Sequence, residues 1–235
     1  MNRETQEKLL KIVKSNYEEI ASSFDQTRKK GIWPELEKLA KEVENGDKIL
    51  DVGCGNGRLG EELKRDVDYL GVDSSSNLID IAKKKYKYNK NYKFHVLDIF
   101  ELDKLKEKYD YIFLVAVIQH IPSKELRVKV LNKIKSTLKE NGEIIISVWN
   151  LVDNKKYKKQ LKKSKYLNFL KGLDQRDLLF YWKNSQGEKL SLRYYHAFTA
   201  KELKKLFAKC DLKLKSFKKT KDNFYIVLKN NKQEK

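Results

Sequence analysis

The sequence predicts an α/β fold built on a doubly wound, mostly parallel sheet, and three features carry that prediction. Short apolar strands alternate with helix-forming stretches between residues 48 and 149, the order that builds a parallel sheet with helices on both faces. The segment DVGCGNGRLG at 51–60 follows the first of those strands, where glycines let a backbone turn tightly against a ligand. YDYIFLVAV at 109–117 is apolar on both faces, as a strand in the middle of a parallel sheet must be.

Residues 4–21 place Leu9, Leu10, Ile12, Val13, Tyr17, Ile20 and Ala21 at helical spacing, so the chain opens on an amphipathic helix. A second helix starts at Pro34 and runs to about Val43; proline suits the first helical turn, where its missing amide is not needed. KILDVG at 48–53 is the first strand, and a helix follows the glycine turn near 58–65. DYLGVD at 68–73 is the second strand. Residues 76–85 form a helix for which the serines at 74–76 offer a capping hydroxyl. YKFHVLD at 92–98 and residues 109–117 are the third and fourth strands. A helix runs from Ser123 to about Lys139, and EIIISVW at 143–149 is the fifth strand. Residues 151–192 are basic and show no clear period. A helix at 199–209 precedes LKLKSFKK (212–219) and FYIVLK (224–229), two strands joined by the hairpin-like turn TKDN. The last six residues are expected to fray. All 235 residues form a single domain: N-terminal helices (1–45), a cofactor-binding core (46–150), a basic insertion (151–198), and a C-terminal helix with a strand pair (199–230).

Composition excludes several classes. The chain carries 52 Lys+Arg against 33 Asp+Glu, a formal net charge of +19, with 40% hydrophobic residues. A chain of this length buries a core without disulfides or metals. Its two cysteines, Cys54 and Cys210, make neither a disulfide scaffold nor a zinc-binding CxxC pair. The charged N-terminus is no signal peptide. The longest apolar run, 111–121, falls far short of the roughly 20 residues a membrane span takes. A cytoplasmic protein with no membrane contact and no metal site is expected. The charge is uneven, a net of +3 over residues 1–150 and +16 over residues 151–235. Aromatic residues stand among those lysines, including Tyr157, Tyr166, Phe169, Tyr181 and Trp182. That combination suits RNA, whose phosphates meet cations and whose bases meet rings. A lysine-rich solvated surface is the plainer explanation of the same numbers.

The glycine turn supports two readings. Gly55-x-Gly57-x-x-Gly60 fits a dinucleotide fingerprint with Asp73 placed for a ribose, while Asp51-x-Gly53-x-Gly55-x-Gly57 fits an S-adenosylmethionine turn. Asp51 would repel a pyrophosphate, whereas the sulfonium and ammonium of S-adenosylmethionine suit an acidic strand end. Asp98, ending the third strand, is placed to accept from an adenine amino group. S-adenosyl-L-methionine is therefore the expected cofactor, with Asp51 and Asp98 as mere turn caps the alternative. The terminal strand pair suits the seven-stranded, Rossmann-like sheet of class I methyltransferases, whose last strand is antiparallel.

Further segments narrow the class: YEEIASSFDQTRKKGIWP (17–34), GVDSS (71–75), AVIQHI (116–121), SVWN (147–150), LLFYW (178–182), RYYHAFTAKEL (193–203) and DNFYIVLK (222–229). With DVGCGNGR they make residues 17–229 resemble the tRNA wobble-uridine methyltransferases that esterify 5-carboxymethyluridine. DVGCGNGR is general to methyltransferases; the T-R…W-P element and RYYHxF are the specific parts. Gln119 and Tyr181 depart from the family's usual His and Pro, and Gly31-Ile32 replace a single proline.

The resemblance implies a stand-alone enzyme with an N-terminal helical lid and a basic substrate-binding insertion before the last two strands. It implies cofactor binding by Tyr17, Arg28, Asp51, Gly53, Gly55, Gly57, Asp73, Ser74, Asp98, Ile99 and Val115. The expected catalytic residues are His120, at the end of the fourth strand, Arg193 and His196. The expected substrate contacts are Arg28, Trp33, Trp149, Asn150, Trp182, Arg193, Tyr194, Tyr195 and His196. A carboxylate acceptor is already ionised at neutral pH and needs no general base, so cations that fix it and rings that stack a flipped-out base should dominate. Plainer roles compete: His120 donating to a carbonyl, Trp149 and one tyrosine as core, and Arg193 paired with Glu202 or Asp177. The implied partners are the anticodon region of tRNA and, at the third-strand edge, a small zinc-binding activator subunit of the kind eukaryotic members carry. A small-molecule or protein methyltransferase, or a non-catalytic tRNA-binding protein, would use the same fold.

Overall fold

The structure is a computed structural model; it describes residues 1–28, 31–63, 66–183 and 186–230, without the side chains of residues 166, 167, 169 and 170. The rings of Tyr166 and Phe169, residues 64–65 of the expected helix, and 231–235 of the six residues expected to fray thus lie outside the described residues. Asn230, the first of those six, is held at the end of a strand and paired with Leu212.

Helix α1 (Arg3–Gln26) is capped by Asn2, whose side chain accepts from the Thr5 amide. It runs past residue 21 because Phe24 continues the apolar stripe, edge-on to Tyr17. Pro34 opens α2 (Pro34–Ala40). Then come β1 (Lys48–Val52), β2 (Asp68–Asp73), α3 (Ser76–Lys85), β3 (Tyr92–Val96), β4 (Tyr109–Val115), α4 (Lys124–Ser136) and β5 (Leu138–Trp149). Ser75 is the serine that caps α3, accepting from the Leu78 amide. The chain continues through α5 (Lys155–Leu170), β6 (Asp177–Lys183), β7 (Lys189–His196), α6 (Ala200–Lys209), β8 (Leu212–Lys219) and β9 (Asn223–Asn230).

Seven strands form one sheet in the order β3-β2-β1-β4-β5-β9-β8. β1 to β5 run parallel, and β9 is antiparallel to both neighbours. This is the expected Rossmann-like sheet with its antiparallel last strand. Consecutive residues of each central strand enter opposite cores, as a two-residue period requires. Leu50, Ile112 and Ile144 pack on α4 and α6, while Ile49, Phe113 and Ile145 pack with α2 and α3. Among the described residues, no helix is long and apolar enough to cross a membrane.

The structure corrects four expectations. The helix after the glycine turn is a single 3-10 turn, Arg58–Glu61. A Cβ on Gly60 would stand 2.7 Å from the Tyr92 ring and 2.9 Å from the Tyr86 hydroxyl, so the turn is wedged against two tyrosines. β4 ends at Val115, Ala116 turns the chain at φ 56°, and His120 sits on a 3-10 turn (Ile118–His120) instead of the strand. β5 starts at Leu138, before Asn141-Gly142, with an irregular register opposite Tyr109 and Tyr111 that absorbs three extra residues. The stretch without a sequence period is α5 followed by the β6–β7 hairpin, a separate two-stranded sheet. Its period is hidden because Tyr194 and Tyr195, neighbours on β7, are both fully buried on opposite faces of the hairpin.

Candidate active site

A cavity of about 330 Å³ opens at the C-terminal ends of β1, β2 and β4. The sheet order reverses between β1 and β4, the place where open α/β sheets bind ligands. The turn after β1 is shaped for it. Gly53 has φ 72°, and a Cβ there would stand 2.5 Å from a Val117 methyl. Gly55 has φ 55° and donates its amide to Asp73 Oδ2 at 2.9 Å.

Asp51 is buried on the cavity wall. Tyr69 donates to its Oδ2 at 2.6 Å, and Oδ1 has no partner. Burial pushes this carboxyl up to about 7, with the nearby Asp73 adding to the effect and the Tyr69 hydrogen bond opposing it. Asp73 accepts from Gly55 and Ser75 amides, and burial outweighs those bonds to raise it as well. Ser74, Asp98, Ile99 and Val115 line the same cavity, and Asp98 also accepts from the Phe100 amide. Gly57 does not line it; at φ 72° it closes the turn against Phe94 and Tyr86. A buried carboxylate oxygen without a donor needs a cationic or N–H partner. The ammonium of S-adenosylmethionine is such a group, so the residues present fit this cofactor.

Helix α1 roofs the cavity with Tyr17 and Phe24, joined by Arg28 just past its end. Its Glu18 fastens it down, accepting from the Ser75 and Ser76 hydroxyls and the Asn77 amide at the start of α3, where an anion is favoured. The Tyr17 hydroxyl is 2.9 Å from His120 Nε2, and His120 Nδ1 is 3.1 Å from the Tyr194 carbonyl. A carbonyl only accepts, so Nδ1 carries the proton and Tyr17 donates to Nε2. Burial and the charge of Arg193 drive the imidazole down to about 3. His120 is neutral with both nitrogens engaged.

Arg193 on β7 lies beside this roof, 5% exposed. Its guanidinium is 4.2 Å from the Trp182 ring, 5.2 Å from Tyr195 and 5.9 Å from Tyr17. Among the described residues its Nε and Nη2 have no hydrogen-bond partner. Arg28, over the Phe24 ring, is lowered by burial and by the charge of Arg193. The two guanidinium groups are thus close enough to repel one another. Arg58 adds a third cation that sequence reasoning missed, lining the cavity above Trp33, although it stands in the DVGCGNGR motif itself.

Trp33 and Trp149 line the cavity, and Tyr195 stacks on Trp149 at 5.1 Å. The alternation of β7 sends Tyr194 and His196 the other way. His196 is fully buried, with Asp177 at 2.7 Å on Nδ1 and Glu202 at 2.8 Å on Nε2, and Tyr194 donates to the same Asp177. Burial alone would raise the Glu202 carboxyl, but the His196 hydrogen bond and the charges of His196, Arg176 and Arg127 bring it down to about 2. Asn150 is equally committed, donating to Asp153 and the Thr220 carbonyl. These three residues stand behind the site and do not line the cavity.

A family model described as a methyltransferase domain matches residues 43–229. The chain is 36% identical over 146 residues to a tRNA (carboxymethyluridine(34)-5-O)-methyltransferase of Saccharomyces cerevisiae, covering 62% of this chain and 50% of the relative. It is 24% identical over 225 residues to the protein of the same name in Schizosaccharomyces pombe, covering 92% and 94%. The chain spans 21–50% of the length of the first curated relatives it matches. Among solved structures, the CcbJ methyltransferase of Streptomyces caelestis superposes with a TM-score of 0.72 at 14% identity, over 93% of this chain and 99% of that one. That likeness is one of fold.

Proposed function

We propose that this chain, which belongs to the methyltransferase-domain family, methylates the carboxylate of a 5-carboxymethyluridine at the wobble position of tRNA, using S-adenosylmethionine. The observation that carries the reading is the Arg193 guanidinium, buried among rings and short of an anion, with Arg28 beside it. A buried cation without a partner is costly, and a planar carboxylate matches its fork. The names of the two yeast relatives agree with that acceptor.

When bound, S-adenosylmethionine supplies an electrophilic methyl group on a sulfonium. Asp51 would hold its ammonium, Asp73 its ribose and Asp98 its adenine edge, with Ile99 and Val115 as apolar walls. The acceptor carboxylate is ionised at neutral pH, so no proton has to be removed. His120, neutral and fully engaged, agrees with such chemistry: it ties the α1 roof to β7. Arg193 and Arg28 hold the carboxylate. Trp33, Trp149 and Trp182 offer ring faces to an extruded base, with Tyr195 stacked behind Trp149. The Asp177–His196–Glu202 chain fixes β7, so that Arg193 is presented from a rigid strand. The 151–198 insertion supplies the tRNA side of the site. We place the protein in the cytoplasm, with a small zinc-binding activator subunit on the β3 edge.

The test is methyl transfer from labelled S-adenosylmethionine to tRNA bearing 5-carboxymethyluridine. The label is expected to enter the wobble nucleoside and to leave as methanol under mild alkali, because an ester is hydrolysed there and an N- or C-methyl group is not. Alkali-stable label, or label only on a small acid, overturns the reading.

A further inference from the structure

Helix α5 carries seven lysines between Lys155 and Lys165 and no acidic residue anywhere along its 16 positions. All seven are exposed, and none joins the ion pairs formed among the described residues. Asp153, just before the helix, pairs with Lys219 instead. Like charges three and four residues apart oppose helix formation, so the density of charge works against the helix that bears it. What holds α5 is its other face. Tyr157 and Leu161 pack into a small core with Leu178, Phe180 and Tyr195 of the hairpin.

That packing also ties the lysine face to the cavity. Tyr157 meets Phe180 at 5.7 Å, Phe180 stacks on Tyr195 at 5.1 Å, and Tyr195 stacks on Trp149 at 5.1 Å. Trp149 lines the cavity wall. Three ring contacts separate the charged helix from the place where methyl transfer would occur.

We propose that the exposed face of α5 is a docking surface for the phosphate backbone of RNA, which it sets so that a loop nucleotide reaches the cavity; this rests on the tRNA acceptor proposed above. At about 1.5 Å per residue, Lys155 to Lys165 spans roughly 15 Å, enough to meet successive phosphates. A basic amphipathic helix also suits an anionic membrane, but such binding inserts the apolar face. Here Tyr157 and Leu161 of that face pack against β6 and β7, while the seven lysines stay exposed.

The decisive protein is the full chain carrying Lys155→Gln, Lys158→Gln, Lys159→Gln and Lys162→Gln. Its tRNA affinity is measured by fluorescence anisotropy across a salt series, and its S-adenosylmethionine affinity by calorimetry. Affinity for tRNA should fall at least about tenfold, and the slope of log K against log salt should flatten by about 0.7–0.9 for each phosphate the variant no longer neutralises. KM for tRNA should rise with kcat nearly unchanged, and cofactor affinity should match the parent, which shows the fold intact. Replacing the same four lysines by arginine should retain tRNA binding. Unchanged tRNA affinity and slope overturn the proposal. So does a loss seen only on phosphatidylserine vesicles while tRNA binding stays intact. If α5 governs tRNA affinity but the parent protein transfers no methyl group to tRNA, the acceptor assigned above fails and the docking surface stands.

Discussion

Asp51 and Arg193 are opposite kinds of incomplete residue, and each makes a measurable demand. Burial raises the Asp51 carboxyl from its ordinary 3.8 to about 7. Between those values the folded protein keeps a proton that the unfolded chain has lost. The group's contribution to stability is therefore full below about pH 4 and is lost as the pH rises through 7. A cation against Oδ1 favours the ionised form, so cofactor binding must expel that proton. Affinity for S-adenosylmethionine is expected to fall toward tenfold per unit as the pH drops below about 7, and Asp51→Asn should level the profile. Calorimetry in two buffers of different ionisation enthalpy checks this; a level profile in the parent protein contradicts it. Arg193 makes the reverse demand. Arg193→Met should lower kcat/KM on tRNA by about a hundredfold, the worth of a charge-assisted pair near 3 kcal/mol. The melting temperature should hold or rise, because an unpaired buried charge gives the fold nothing. A drop of several degrees would mean that Arg193 serves the fold itself.

At the scale of elements, the sheet has two edges, and they differ in protection. β8 carries Lys213, Lys215, Lys218 and Lys219 along eight residues, and edge lysines deter strand addition. β3 carries Lys93 alone and leaves Val96 52% exposed. A subunit that docks by extending the sheet is expected at β3: Val96→Lys should abolish co-purification with it, and Leu214→Lys on β8 should not. Persistence with the β3 variant would place such a subunit elsewhere. The same elements show what a sequence discloses. β1, β2, β4 and β5 were legible as short apolar runs, β3 by its alternation of apolar residues, and β8–β9 because a turn of Thr, Lys, Asp and Asn divides them. β6 and β7 were not, since their burial follows tertiary contacts with α1 and α5 and not a one-sided alternation. His120 was legible as a site residue yet misplaced, because the apolar run continues through 117 while Ala116 has already turned the backbone. Arg193 and His196, only three residues apart, could not be told apart until β7 was seen to send one toward Trp182 and Tyr17 and the other toward Asp177 and Glu202.

For the whole molecule, buried polar atoms without a partner among the described residues occur in several places, Arg127, Glu143 and Asn223 among them, and the cavity region is one of these places. The Asp177–His196–Glu202 chain is engaged within the fold. At and beside the cavity, Asp51 Oδ1 and the Nε and Nη2 of Arg193 have no hydrogen-bond partner among the described residues. A stable protein tolerates such gaps where a ligand closes them. The gaps are separate in sign, so their ligands should act separately. S-adenosylhomocysteine keeps the ammonium that Asp51 lacks, and at about a hundred times its Kd it should add about 2.7 kcal/mol, or roughly 5–10 °C in melting temperature for a chain of this size. The shift should be larger at pH 8 than at pH 6, where Asp51 holds its proton. The tRNA supplies the anions that Arg193 and α5 lack, so its own shift should add to the first and shrink as salt rises, while the cofactor's shift does not. A cofactor shift as sensitive to salt as the tRNA shift would mean that the two ligands meet the same cations, and the division of the site between Asp51 and Arg193 would then be wrong.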